Sequence, residues 1–93
     1  FEIDPSPGLA RELITARINR AGVGLRRGEF DAARELYLAA DRLAAEQVEL
    51  HPAALTLRLE WAGVSNQLGL LAESQNDFEG AAQRYGAAVA ALE

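Results

Sequence analysis

Apolar residues along the chain recur at helical spacing in four successive stretches. From Leu9 to about Arg27, Ile14, Ile18, Ala21 and Leu25 follow steps of four, three and four. After the turn residues Gly28-Glu29 a second stripe runs through Phe30, Ala33, Leu36, Tyr37, Ala40, Leu43, Ala44 and Val48. It stops at Leu50-His51-Pro52, because a residue before proline is pushed out of the helical region. Pro52 suits the first position of a third helix, which carries Leu57, Trp61, Val64, Leu68 and Leu71 to about Ser74. Gln75-Asn76-Asp77 breaks the pattern and offers two N-caps. The fourth stripe is Phe78, Ala81, Ala82, Tyr85, Ala88, Val89 and Leu92. No strand-like alternation lasts, and no Asn-Gly or Asp-Gly hairpin turn occurs. The expected fold is all-α. Residues 1–8 form a lead-in, with Asp4 or Ser6 as N-cap, and 9–93 a single domain. Short loops make neighbours antiparallel, giving hairpins at about 9–50 and 53–92. Gly22 and Gly24 weaken the first helix and point to close packing or early fraying.

The second and fourth helices repeat one another. Phe30, Ala33, Tyr37 and Ala40 align with Phe78, Ala81, Tyr85 and Ala88 at identical spacing, and the small residues Ala21 and Gly69 stand seven before each turn. Small residues let helix backbones approach, while the aromatics at 30, 37, 78 and 85 are expected to fill the wedge between stacked hairpins. The pattern resembles the tetratricopeptide repeat family, most closely in Leu68-Gly69, Asn76-Asp77-Phe78, Ala81, Tyr85 and Ala88. His51-Pro52 looks like the joint between repeats in kinesin-light-chain-type arrays and their relatives in bacterial regulators. The resemblance implies two hairpins stacked as a right-handed α-solenoid fragment. Gly28 and Asn76 stand 48 residues apart, more than the family's usual repeat, and the excess is expected in the third helix. Arg17 and Arg20 replace large apolar residues of the family's pattern, and Gly24 a bulky one, which suits a divergent or capping first unit.

On helical wheels, Arg11, Thr15, Asn19, Gly22 and Arg26 share one face of the first helix. Leu59, Gly63, Asn66, Leu70 and Glu73 share the comparable face of the third. The resemblance implies that these faces line a concave groove for a peptide or partner helix. Asn19 and Asn66 would bind peptide backbone there, and Arg11 and Arg26 carboxylate. Repeat packing falls to Ala33, Tyr37, Ala40, Gly69, Phe78, Ala81, Tyr85 and Ala88, and Trp61 reads as core or a neighbour contact.

Composition narrows the chemistry. The 93-residue chain is 49% apolar and 25% charged, the balance of a folded domain. It has no Cys, no Met and one His, so disulfides, thiolate metal sites, a cysteine nucleophile and a histidine cluster are excluded. No serine has a base in sequence context, and Gly22-Val23-Gly24 lacks the Lys and preceding strand of a phosphate loop. Glu46, Glu49 and Glu60 flank a loop without specifying a cation. No enzyme activity, cofactor or metal is expected. Net charge is −5, against nucleic-acid binding as a whole, yet residues 9–27 carry five arginines against Glu12. All nine basic residues are Arg. No apolar run reaches membrane-spanning length, there is no signal-peptide pattern, and a cytoplasmic location is expected. The start at Phe1 reads as an excised domain or processed product. The expected function is a non-enzymatic scaffold or regulatory module binding a protein or peptide; the alternatives are a four-helix-bundle oligomerisation domain without a groove and a small-molecule sensor using the cleft beside Trp61. Two repeats fall short of the three or so that such arrays need, so the flank around Ala87, Val89, Ala90 and Leu92 is expected to meet further repeats or a second copy.

Overall fold

A computed structural model describes residues 7–93 of the chain. They form four helices: α1 (Pro7–Arg26), α2 (Phe30–Leu50), α3 (Leu55–Ser74) and α4 (Phe78–Ala91). Among the described residues there is no strand. The candidate N-caps Asp4 and Ser6 lie outside the described residues.

The repeat reaches the helix boundaries. Pro7 and Leu55, Arg26 and Ser74, and Phe30 and Phe78 are each separated by 48 positions. α1 and α3 both have 20 residues, so the extra length expected of the third helix belongs equally to the first. Both hairpin turns close the same way. Gly28 has φ +75°, Glu29 N–H donates to the Gly24 carbonyl at 2.8 Å, and Gly28 N–H to Leu25 at 3.1 Å. Asn76 takes φ +62°, with Asp77 N–H to Ala72 at 2.8 Å and Asn76 N–H to Glu73 at 3.0 Å. This pair of bonds is the Schellman motif, whose left-handed residue suits Gly or Asn.

The joint between α2 and α3 agrees with expectation on one side and departs from it on the other. α2 ends before Pro52 as expected, with His51 N–H bonded to the Gln47 carbonyl at 2.8 Å. Pro52, however, belongs to a turn closed by Ala54 N–H to His51 at 3.0 Å, and α3 begins three residues later. Gly24 lies against Ala33 of α2 at ordinary contact distance, while Gly22 approaches only the tip of Arg26; the helix continues past both.

Each helix packs on its neighbour in sequence, and α1 also approaches α3; the backbones of α1 and α4 stay apart, as do those of α2 and α4. The main core gathers Ile14 and Ala21 of α1, Ala33, Tyr37, Ala40 and Ala44 of α2, and Val64, Leu68 and Leu71 of α3. A smaller one holds Ala62, Ala88 and Ala91, and Trp61 bridges the two. Ala33, Tyr37, Ala40, Gly69, Ala81 and Ala88 are buried, and Tyr85 is half-buried. Phe78, expected among the packing residues, is 65% exposed, and Phe30 is exposed too. Each is the first residue of its helix and stands beyond the stripe that meets the preceding helix.

Candidate functional site

α1 and α3 are the first helices of their hairpins, and they lie edge to edge. Arg11 fixes that edge at one end, its guanidinium 3.7 Å from the Glu60 carboxylate. Both groups are partly exposed, so the pair contributes about 0–1 kcal/mol. Further along, Asn19, Gly22, Val23 and Arg26 of α1 open onto a shallow concavity whose other wall is Gln67 of α3 and whose lining includes Ile18, Leu25 and Tyr37. A second shallow hollow follows α1 back through Thr15 to Arg11 and shares Asn19. The open trough thus runs along the α1 face that the helical wheel singles out.

The α3 side is arranged differently. Asn66 and Leu70 are exposed, but neither lines the concavity with Asn19 and Arg26. Gln67 does so instead. It lies seven residues after Glu60, on the edge that meets α1, and that spacing is the signal by which sequence could have found it. Glu73 turns toward α4, where the Tyr85 hydroxyl donates to it; burial, and then the Glu73 carboxylate, push the Tyr85 phenol above its ordinary range. Arg11 and Glu73 therefore both have partners within the chain.

The groove offers amide donors and acceptors from Asn19 and Gln67, one guanidinium from Arg26 and a small apolar lining. Amides can exchange hydrogen bonds with a peptide backbone, and a guanidinium can pair with a carboxylate. Trp61 lies away from this trough, half-buried, its indole Nε1 donating to Asp41 Oδ1 at 3.0 Å. His51 is exposed at the α2–α3 joint. Among the described residues no three His, Cys, Asp or Glu side chains gather as metal ligands would, and no helix is long and apolar enough to cross a membrane.

The chain matches no family model, no curated protein and no solved structure.

Proposed function

We propose that the chain is a non-enzymatic, tetratricopeptide-like module whose hairpins stack as a short solenoid and hold an extended peptide or helix of a protein partner along α1. The observation carrying this is the concavity in which Asn19, Gly22 and Arg26 of one helix meet Gln67 of another. Packing order supports an open stack over a closed bundle: α1 meets α3, whereas α1 and α4 remain apart. A closed bundle would pair its first and last helices around one centre. Asn19 and Gln67 would satisfy backbone groups of the bound segment, and Arg26 would take a carboxylate.

Selection of peptides from a display library, followed by titration of a selected peptide against the labelled chain, tests this. Amide shifts should concentrate at Thr15, Asn19, Gly22, Arg26 and Gln67. Arg26→Ala combined with Gln67→Ala should weaken binding at least about tenfold, as expected when charged and neutral hydrogen bonds are lost together. Unchanged affinity, or shifts confined to α4, would overturn the groove assignment.

A further inference from the structure

The 48-residue repeat relates surfaces as well as helices. The core that α2 and α3 share includes Tyr37 and Ala44 on one side and Val64 and Leu71 on the other, with Trp61 packed against it and donating to Asp41. Forty-eight positions after the α2 set stand Tyr85, Val89 and Leu92, on α4 and its C-cap; as many before the α3 set stand Leu13, Ala16 and Val23, on α1. Both derived stripes are open to solvent except at Tyr85, which is half-buried against Gly69, and Ala16 and Val23 also edge the two hollows that run along α1. Val89 is 61% exposed and Leu92 48%, Leu13 38% and Val23 40%. The two halves of the α2–α3 interface are therefore displayed again, separately, on two helices whose backbones stay apart.

The residues exchanged between the buried and the open versions match in pairs. Trp61 and Asp41 form a hydrogen-bonded pair; their equivalents are Leu13 and Val89, an apolar pair. Arg34 of α2 lines a hollow with Leu68 of α3; their equivalents are Ala82 and Arg20, so the arginine changes sides and each pair keeps one. Charge is complementary too. Residues 7–27 carry five arginines against Glu12, whereas 75–93 carry Asp77, Glu79 and Glu93 against Arg84.

We propose that a second copy of this chain docks by laying its α1 stripe, Leu13, Ala16 and Val23, on the α4 stripe, Tyr85, Val89 and Leu92, of the first, repeating the α2–α3 packing. The contact is heterologous: each copy keeps one unused stripe, so growth continues head to tail beyond two copies.

Sedimentation of the chain across micromolar concentrations should show a mean mass that rises past the dimer. Leu13→Glu and Val89→Glu should each be monomeric alone, because each population lacks one half of the contact. Mixed in equal amounts, they should form a dimer that grows no further, joining the intact α4 stripe of one to the intact α1 stripe of the other. Unchanged helical circular dichroism checks the fold, and Leu13→Gln with Val89→Gln serve in place of any variant that unfolds. A parent chain monomeric at every concentration, a Leu13→Glu variant that still associates, or a mixture that stays monomeric would each overturn the proposal. The second result would mean an α4-to-α4 contact, and the first would leave the stripes to a different protein.

Discussion

Tyr85 holds its ring where a side chain at Gly69 would stand. A Cβ at Gly69 would lie 2.6 Å from ring atom Cε1, 2.9 Å from Cδ1 and 3.0 Å from Cζ. The equivalent pair in the first hairpin is Ala21 and Tyr37, both buried, where a methyl is accommodated. The surroundings differ: Tyr37 packs in a core that α3 completes, whereas the Tyr85 ring lies on α3 at Gly69.

Gly69→Ala should therefore destabilise the chain, although alanine is the better helix former. Overpacking costs about 1–3 kcal/mol and the helix gain offsets up to about 1, so a net loss of about 1 kcal/mol is expected in chemical denaturation. In a Tyr85→Ala background the same substitution should become stabilising. Gly86→Ala, where an added Cβ meets nothing within 4 Å, should stabilise by about 0.5–1 kcal/mol.

The two N-caps give a second comparison. Asp77 Oδ1 accepts from Gly80 N–H at 2.9 Å, while Glu29, its equivalent, makes no side-chain cap bond. The longer Glu side chain does not close the short ring that Asp closes. Glu29→Asp is expected to raise stability by about 0.5–1 kcal/mol and Asp77→Ala to lower it by about 1 kcal/mol, read from melting curves.

The number of helices and most of their buried stripes were legible in the sequence because helical period is a local property. Ala33, Tyr37, Ala81 and Ala88 could be named as packing residues from repeat and spacing alone. Phe30 and Phe78 could not be placed that way: they fit the stripe, but whether a neighbour reaches them depends on where the preceding helix ends. That Arg11, Thr15, Asn19, Gly22 and Arg26 share one open face of α1 was equally readable. On α3, replacing Asn66 by its neighbour Gln67 is a turn of about 100° around the helix, and which residue faces α1 depends on the helix crossing, which no single-helix pattern encodes. The internal partners of Arg11 and Glu73 are likewise long-range facts.

Gln47 is 2% exposed near the end of α2, and its Oε1 finds no hydrogen-bond partner among the described residues. An unsatisfied buried acceptor costs about 1–3 kcal/mol. Gln47→Met keeps the length of the side chain without the amide and should raise the denaturation midpoint, by about 1 kcal/mol in stability. A loss of stability would mean that Oε1 is bonded in solution.

Alkaline pH should weaken the fold through Tyr85. Burial against α3 comes first, and the Glu73 carboxylate that accepts its hydroxyl adds to it; both raise the phenol above 10.0. The unfolded phenol loses its proton first, so stability is complete below pH 10 and falls as pH rises from there through the folded value. Burial raises Tyr37 in the same direction. Tyr85→Phe should flatten part of the decline above pH 10 in denaturation curves, and an unchanged slope would place the whole effect on Tyr37.

Asp41 ties three helices together. Trp61 Nε1 donates to its Oδ1 at 3.0 Å, and the Arg84 guanidinium stands 3.8 Å from its Oδ2. The two links differ in weight. The indole bond fills a donor on a half-buried ring, whereas the Arg84 pair is partly solvated and contributes about 0–1 kcal/mol. Asp41→Asn keeps an acceptor for the indole and removes the charge; it should change stability by less than about 1 kcal/mol and leave Trp61 emission unmoved. Asp41→Ala strips the indole of its partner and should cost about 1–2 kcal/mol, with a shift in the emission of the chain's only tryptophan. If Asn proves as damaging as Ala, the ion pair to α4 is the link that matters, and the fourth helix should then detach first as salt is raised.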